Sequence, residues 1–226
     1  MSYRTKNIVI VGGGSAGWMT ASTLISLFPN KNITLIESPS IPTVGVGEST
    51  LGQIRKWMAT IGLKEEDFLT ECDASYKMSI KFTDFYNKDS GSFHYPFGTV
   101  SFDPNNPFPI NEWFIKKYYY PETSVQDYAR YAYDQMPLVE NCRYDDNSTG
   151  NFGMFNPKRD VAYHFDSTKF ANWLSEKFAK PKGVNHILSS VLKVNVDDNG
   201  ITSLVLDDGS EIDADLYIDC TGFKSL

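Results

Sequence analysis

The chain has few cysteines, no long apolar run and no stripe of basic residues. Its three cysteines among 226 residues are odd in number and far apart, which fits neither a disulfide framework nor a zinc site. No apolar run is long enough to cross a bilayer, and the missing basic stripe argues against a nucleic-acid surface. The formal net charge of −7 indicates solubility and does not indicate a binding partner. We therefore expect a cytoplasmic protein with no metal site and with neither a membrane nor a nucleic acid as partner; the sequence makes no prediction about its oligomeric state.

The N-terminal stretch carries a strand-helix-strand pattern. Residues 8–11 (IVIV) form an apolar run that breaks at Gly12, so they predict a first strand rather than a signal peptide. A helical pattern follows to about Phe28, and a second apolar run, residues 33–36 (ITLI), ends on Glu37.

The glycines at the first turn match the pattern G-x-G-x-x-G. In a dinucleotide-binding unit, Gly12 would permit the tight turn, Gly14 would let a pyrophosphate approach the backbone, and Gly17 would let the helix pack closely on the sheet. The N–H groups at the helix start, which include those of Ser15 and Ala16, would favour the phosphate charge together with the helix dipole.

The acid at the end of the second strand completes this pattern. Glu37 lies 20 residues beyond Gly17, where a carboxylate would bind the ribose hydroxyls of a dinucleotide. Such an acid disfavours a 2′-phosphate, so FAD or NAD is expected rather than NADP. The alternative is a glycine turn in an α/β unit that binds no dinucleotide.

The middle of the chain is rich in aromatic residues. They make up 14% of the sequence and concentrate between Tyr76 and Trp173. Core packing explains most of them, and an aromatic-lined pocket for a flat ligand would give the same pattern. Alternation predicts a strand over residues 76–85. Residues 86–109, rich in Gly and Pro, are too many for a plain connection, so we expect a functional loop or lid there.

Capped helices and a meander complete the predicted elements. Ser49 or Thr50 is expected to cap a helix over residues 51–61. Asp166 or Ser167 is expected to cap a helix over residues 168–180. Strands separated by turn residues then form an expected β-meander over residues 186–196, 201–206 and 211–220.

This order of elements predicts an α/β fold of the flavoprotein type. An NAD dehydrogenase would continue strand-helix-strand after the glycine turn, whereas this chain first inserts more than a hundred residues. We expect an FAD-binding, Rossmann-like (flavin monooxygenase-like) three-layer domain with an inserted, aromatic-rich substrate region and a β-meander. Residues 1–75 and 185–226 would form the FAD-binding part and residues 76–184 the insertion on the substrate side, within a single, incomplete domain over residues 1–226.

Motifs along essentially the whole chain resemble the flavin-dependent tryptophan halogenases. Each motif is modest alone, and together they are specific. They are residues 11–19 (VGGGSAGWM), 45–50 (GVGEST), 71–77 (ECDASYK), 163–166 (YHFD) and 215–223 (DLYIDCTGF).

The resemblance implies an activity. Reduced FAD (FADH2), supplied by a separate flavin reductase, would react with oxygen and a halide ion to give hypohalous acid. An internal tunnel would carry this acid to a lysine, which by its motif is Lys77 and which would deliver electrophilic halogen to an electron-rich aromatic. An ammonium can hydrogen-bond and polarise hypohalous acid, and its amine form could become a haloamine. Lys81, further along the same face, is expected to be a solvated charge.

The resemblance also implies the residues that contact FAD. Contacts through the backbone are expected in the second glycine-containing loop, where Glu48 is not expected to act as a base. The residues concerned are Val46, Gly47 and Ser49 in that loop, Val191 near the adenosine, and Asp219 and Gly222 near the end of the chain.

The substrate segment departs from the family pattern. Tryptophan-specific members sandwich the indole between a His and a Phe in a His-x-Phe-Gly segment, whereas this chain has residues 93–98 (FHYPFG). Phe97 matches, but Tyr95 takes the place of the histidine and His94 is shifted by one. Since tyrosine is also flat and aromatic, stacking survives the change. The expected substrate is tryptophan, an indole, a phenol or another flat aromatic.

The length of the chain is the second departure. Family members are about twice as long, and their region with the Gly-Trp-x-Trp-x-Ile-Pro motif and a catalytic glutamate has no counterpart here. We therefore expect an N-terminal portion that does not catalyse halogenation alone. Two alternatives stay open: a flavin monooxygenase-like oxidoreductase that inserts oxygen, and a non-catalytic, shortened FAD-binding fragment.

Overall fold

The computed structural model describes residues 5–41, 47–101, 104–105, 109–144 and 153–226. No helix within these ranges is both long and apolar enough to span a membrane. The chain divides into two compact units. The first unit comprises Met1–Glu48, Met58–Ala74 and Phe165–Leu226, and the second comprises Ser49–Trp57 and Ser75–His164.

The described elements are as follows in chain order. The α-helices are α1 (Ser15–Leu27), α2 (Gln53–Ile61), α3 (Glu65–Phe68), α4 (Pro109–Tyr119), α5 (Asp127–Ala132), α6 (Met136–Glu140) and α7 (Ser167–Trp173). A π-helix (Leu174–Ala179) and a 3-10 turn (Lys180–Lys182) continue α7, and another 3-10 turn covers Gly222–Lys224. The β-strands are β1 (Asn7–Val11), β2 (Asn32–Glu37), β3 (Gly47–Ser49), β4 (Ser75–Lys77), β5 (Ser79–Thr83), β6 (Ser92–Pro96), β7 (Ala162–Asp166), β8 (Asn185–Leu188), β9 (Val191–Asp197), β10 (Gly200–Leu206), β11 (Glu211–Ile212) and β12 (Leu216–Asp219).

A parallel sheet in the order β12-β1-β2-β8 is the centre of the first unit. In its register, Val11 lies opposite both Asp219 of β12 and Ile36 of β2, so three strands end at the same edge. Parallel neighbours need crossover connections, and α1 provides the one between β1 and β2. The strand-helix-strand prediction and the predicted return of the last strand to this sheet are confirmed.

The two faces of this sheet carry different layers. The Cδ1 atom of Leu35 lies 3.5 Å from the place where a Cβ on Gly17 would stand, so Leu35 faces α1. The next residue, Ile36, faces the opposite way because side chains alternate along a strand. It joins a buried cluster with the β-meander β9-β10-β11, which is antiparallel. The predicted three-layer fold with a meander is therefore confirmed.

The predicted cap of the seventh helix is Asp166. Its Oδ1 accepts a hydrogen bond from the N–H of Lys169 at 2.8 Å, which satisfies one of the free donors at the start of α7. The helix buries Phe170 and Trp173 in the first unit, where both rings contact Phe68. Residues Phe165–Leu226 belong to the first compact unit. The division of FAD binding and substrate binding between residues 1–75, 76–184 and 185–226 stays a prediction.

The second unit contains short antiparallel pairings. Strand β4 pairs with β7, with Ser75 opposite His164 and Lys77 opposite Ala162. Strands β5 and β6 form a hairpin in which Lys81 lies opposite His94. Residues opposite each other in an antiparallel pair share a face. The side chains of Lys77 and His164 are therefore on one face of the sheet.

Two local predictions were wrong near the start of the second unit. Ser49 and Thr50 do not cap α2, which begins at Gln53; Ser49 ends β3, and the N–H of Thr50 donates to Tyr163 O at 2.9 Å. Neither side chain is available as a cap, since Ser49 Oγ accepts from Lys77 Nζ and Thr50 Oγ1 accepts the N–H of Tyr163 at 2.9 Å. Residues 76–85 are not one strand, since β4 and β5 belong to different sheets on either side of Met78.

The predicted loop over residues 86–109 contains the strand β6. The turn before it is closed by Asp84, whose Oδ1 accepts the N–H of Gly91 at 3.1 Å. Likewise, residues 186–196 form two strands in different sheets, because the N–H of Ser189 donates to Glu37 O at 3.0 Å and the chain turns there. Residues 211–220 also form two strands, β11 in the meander and β12 in the parallel sheet. Periodicity alone does not show which sheet a strand joins, so these breaks and the one at Met78 were missed.

Candidate functional site

The glycine turn of the first unit is closely packed against backbone. Gly12 has a φ of +117°, and a Cβ there would stand 2.4 Å from the carbonyl oxygen of Cys220. A Cβ on Gly17 would stand 1.8 Å from the carbonyl oxygen of Gly12. Both glycines are therefore required by sterics, as a tight turn followed by a closely packed helix demands.

The start of α1 is open to an anion. Gly14 is the N-cap residue, no side chain caps the helix, and its first turn contains no acidic residue. The backbone N–H groups of Ser15, Ala16 and Gly17 thus begin a helix whose first turn carries no acidic side chain of its own at the positive dipole end. The residues present fit the pyrophosphate of a dinucleotide. That these residues bind FAD stays a prediction.

Glu37 lies over the glycine turn. A Cβ on Gly13 would stand 2.0 Å from Glu37 Cδ, so the carboxylate fills the space that a larger residue would need. Gly13 is a functional candidate that the three-glycine pattern missed, although the unbroken run of three glycines was a signal for it. The contact explains why the turn has a glycine between the two motif positions.

His186 holds Glu37 in place. Its Nε2 lies 2.9 Å from Glu37 Oε2, and its ring packs edge-on against Trp18 with centroids 5.0 Å apart. His186 pairs with Leu35 in the register of β2 and β8, two residues before Glu37. No pattern in the sequence identified His186, because this contact depends on β8 joining the sheet beside β2.

The end of β12 reaches the same sheet edge. Asp219 lies opposite Val11, and its Oδ1 accepts hydrogen bonds from the N–H of Thr221 at 2.8 Å and its hydroxyl at 2.6 Å. These bonds, with the hydroxyl bond the largest cause, hold the pKa of Asp219 below its usual value. Gly222 follows with a φ of +65° and nothing within 4 Å of a Cβ. Ligands of open parallel sheets bind at such carboxyl ends.

The other residues predicted to contact FAD are Val46, Gly47, Ser49 and Val191. Val46 lies outside the described residues. Gly47 lies in β3 of the first unit, and the side chain of Val191 is buried in the cluster between sheet and meander. Ser49 lies at the start of the second unit, and its side chain is bonded to Lys77. Backbone contacts of these residues with FAD stay predictions.

Lys77 is a buried lysine in the second unit. Its side chain is 7% exposed, and its Nζ donates to Ser49 Oγ at 2.8 Å and to Thr50 O at 2.9 Å. The Phe97 ring centroid is 5.3 Å from Nζ, within range of a cation–π interaction. Among the ion pairs of the described residues none involves Lys77. Burial without a carboxylate lowers the pKa of Lys77 below its ordinary value.

A cavity of about 600 Å³ contains Lys77. It lies within the second unit, and the titratable nitrogen bases among its described lining residues are Lys77, Lys81, His94 and His164. Partial desolvation, and then the charge of Lys77, lower the pKa of His164. Desolvation, and then Lys81, lower the pKa of His94, whose Nδ1 lies 2.9 Å from Ser79 Oγ. His94 and His164 were not predicted as site residues, although His164 lies in a motif that carried the resemblance.

The two residues predicted to contact the substrate, Phe97 and Tyr95, differ in exposure and in whether they lie beside Lys77. Phe97 is 9% exposed beside Lys77, and its backbone N–H donates to Met78 O at 2.9 Å. Tyr95 is 58% exposed and is not among the described residues that line the cavity, where its neighbour His94 lies instead. The structure therefore brings Phe97 and Lys77 together and leaves Tyr95 outside. The stacking role of Tyr95 stays a prediction.

The fold and these residues define a Rossmann-like α/β protein whose second compact unit carries a buried lysine. The family model for tryptophan halogenase matches residues 7–226, and the chain belongs to the tryptophan halogenase family.

Curated relatives and solved structures agree with this assignment. Tryptophan 6-halogenase SttH of Streptomyces toxytricini is 34% identical over 97% of this chain and 44% of its own length. Tryptophan 7-halogenase RebH of Lentzea aerocolonigenes is 33% identical over 100% of this chain and 44% of its own. The apo structure of VirX1 superposes with a TM-score of 0.87 at 41% identity, covering 98% of this chain and 43% of that chain. The crystal structure of SttH superposes with a TM-score of 0.79 at 31% identity, covering 97% of this chain and 44% of that chain. The chain thus spans about 44% of the length of these curated relatives.

Proposed function

We propose that this chain supplies the FAD-binding turn and the reactive lysine of a flavin-dependent halogenase. The observation that carries the proposal is the environment of Lys77, which is 7% exposed, hydrogen-bonded to Ser49 and Thr50, and next to the Phe97 ring. Solvated lysines on strands are common, whereas a buried lysine without a carboxylate among the described residues needs a reason. Family membership supplies the chemical context.

The first unit would hold FAD. The helix start at Gly14–Gly17 would bind the pyrophosphate through backbone N–H groups, and Glu37 would accept hydrogen bonds from the ribose hydroxyls. Asp219 and Gly222, with the backbone of Val46, Gly47, Ser49 and Val191, are further proposed contacts. When bound in its reduced form, FAD would supply the electrons with which oxygen and a halide ion yield hypohalous acid.

Lys77 would act on hypohalous acid. Its Nζ–H donates a hydrogen bond to the oxygen of HOX, which makes the halogen more electrophilic. The aromatic ring attacks the halogen, the O–X bond breaks, and the ring proton leaves, so that Ar–H and HOX become Ar–X and water. Phe97 would flank the flat substrate, and Tyr95 would stack on it from a more exposed position.

Several finer properties are proposed with this function. The substrate is tryptophan, an indole or a phenol, and a halide ion is the co-substrate. A separate flavin reductase supplies reduced FAD, and the reaction takes place in the cytoplasm. The curated relatives are more than twice as long as this chain. These properties are therefore proposed for a protein of the relatives' full length.

The test has two parts. In the first part, FAD binding to the purified chain is measured by calorimetry, with Glu37→Ala as the variant that weakens it. In the second part, halogenation of tryptophan, indole and phenol is measured by mass spectrometry with a flavin reductase, NADH and bromide or chloride. The second assay is run on the chain and on a chimera in which the chain replaces the matching part of SttH.

Matched lysine variants decide the role of Lys77. Lys77→Met should abolish halogenated product and leave FAD affinity unchanged, since Lys77 is not a proposed FAD contact. Lys81→Met removes a lysine from an exposed position on β5 and is the control for loss of a charge. Full halogenation by Lys77→Met, or absence of FAD binding to the unmodified chain, would contradict the proposal.

A further inference from the structure

The hydroxyl of Ser49 is placed to hold the reactive nitrogen of Lys77. Ser49 ends β3, and its Oγ accepts a hydrogen bond from Lys77 Nζ at 2.8 Å, while the carbonyl of Thr50 accepts another at 2.9 Å. Among the described residues, Lys77 is the hydrogen-bond partner of Ser49 Oγ. Two neighbouring residues of one segment therefore position one buried ammonium group.

The two acceptors differ in what they can do. A carbonyl oxygen only accepts, so Thr50 can bond Lys77 only while Nζ carries a hydrogen pointing at it. A hydroxyl both accepts and donates. When Lys77 is an ammonium, its N–H donates to Ser49 Oγ; when Lys77 is an amine, the Ser49 O–H can turn and donate to the Nζ lone pair. Ser49 therefore stays bonded to Lys77 in both protonation states.

We propose that Ser49 is a positioning residue for Lys77, whose hydroxyl fixes Nζ beside the Phe97 ring in the ammonium and amine forms alike. This inference rests on the proposed role of Lys77 in halogen transfer. It goes beyond the expected backbone contact of Ser49 with FAD, since the side chain is assigned to the lysine. Ser49 acts through Lys77 and touches no reacting atom itself.

Other titratable groups share the cavity with Lys77. Among the described lining residues they are Tyr76 on β4, Lys81 on β5, His94 on β6, Cys142 and Tyr144 after α6, and His164 on β7, while β3 and α6 line the cavity through Ser49 and Val139. A change in the titration of Lys77 therefore needs a control in the same cavity. Ser79 provides one, because its hydroxyl bonds His94 at 2.9 Å rather than Lys77.

The experiment measures the amine reactivity of Lys77 in the 226-residue chain. The chain is labelled with trace acetic anhydride from pH 6 to pH 11, and modification of Lys77 is quantified by mass spectrometry. Ser49→Ala removes an acceptor that favours the ammonium form, so the labelling midpoint should move to lower pH. Labelling near pH 8 should rise roughly tenfold, because the hydroxyl stabilises the ammonium more than the amine by about that factor.

Conservative variants separate the hydroxyl from packing. Ser49→Thr keeps the hydroxyl and should restore the labelling profile, and Ser79→Ala should leave the Lys77 profile unchanged. Ser49→Cys keeps the size but has a weakly bonding thiol, so it should behave like Ser49→Ala and serves if that variant does not fold. An unchanged profile in Ser49→Cys and Ser49→Ala, or an equal change in Ser49→Thr, would overturn the proposal.

Turnover measurements distinguish failure of the positioning role of Ser49 from failure of the proposed halogenase function. In an active halogenation assay, Ser49→Ala should lower kcat roughly tenfold with little change in KM, and Ser49→Thr should recover most of it. A shifted Lys77 profile in a chain or chimera that never halogenates would overturn the proposed function alone. Turnover that requires Lys77 but is unaffected by Ser49→Ala would overturn the positioning role alone.

Discussion

His186 donates a hydrogen bond from Nε2 to Glu37 Oε2 over 2.9 Å and so fixes the carboxylate proposed to bind ribose. Removing His186 should free Glu37 to swing into solvent. We expect His186→Ala to weaken FAD binding roughly five- to tenfold in calorimetry, the range of one lost positioning hydrogen bond. Asn185→Ala, on the same strand with an exposed side chain, is the control. Equal affinities for the His186 and Asn185 variants would show that Glu37 needs no support.

Gly13→Ala should act through Glu37 rather than through the fold. The new Cβ would stand 2.0 Å from Glu37 Cδ, and a side-chain end can move aside. We expect a small loss in the free energy of unfolding, but a loss of FAD affinity as large as that of Glu37→Ala. The double variant should be no weaker than either single variant, which a double-mutant cycle measures.

Two other glycine variants provide the contrast. Gly17→Ala meets the backbone oxygen of Gly12 at 1.8 Å, so it should lower the unfolding midpoint in urea. Gly52→Ala, whose Cβ would be 3.6 Å from the nearest atom, should change neither stability nor FAD affinity. If Gly13→Ala unfolded the chain as readily as Gly17→Ala, the contact with Glu37 would not be the important one.

The charge on Lys77 should make stability depend on alkaline pH. Its folded-state pKa is lowered by burial, so between that pKa and the ordinary value of 10.5 the unfolded chain binds more protons than the folded chain. The free energy of unfolding contributed by this group therefore rises as pH rises through that window. Lys77→Met should be more stable than the unmodified chain near pH 7, because an unpaired buried charge is removed. This advantage should shrink towards pH 10.5.

Urea unfolding at pH 7 and pH 10 measures the effect, with Lys81→Met as the control for loss of a lysine at an exposed position. An advantage of Lys77→Met that did not change with pH would show that packing, and not charge, is responsible.

The pKa of His164 should change when the charge of Lys77 is removed. Desolvation is the larger cause of its lowered pKa and the Lys77 charge the second. Lys77→Met should therefore raise the pKa of His164 part of the way towards 6.5, as followed by NMR of the imidazole signals; the chain has three histidines, so assignment by mutation is simple. The pKa of His94 depends on desolvation, Lys81 and Glu140, and it should stay unchanged. A His164 titration indifferent to Lys77 would mean that their side chains do not face one another.

The sequence by itself determined the parts of this protein whose cause is local. The glycine turn, α1 and β2 follow from steric needs and apolar periods within 31 residues, Asn7 to Glu37, and the structure has them where the pattern predicts. The cap at Asp166 depends on a donor only three residues away, so it could also be predicted from the sequence. The motifs that indicate the family are likewise short, contiguous segments of sequence.

Only the tertiary structure decided the contacts that join distant segments. The pairing of β2 with β8 brings His186 to Glu37 across 149 residues, and the approach of residues 49–50 to β4 brings Ser49 to Lys77 across 28. The break at Met78 and the strand β6 depended in the same way on sheet membership. Hydrogen-bonding partners in a sheet are chosen by packing across the whole unit, and a strand's own sequence specifies its alternation but not its neighbour.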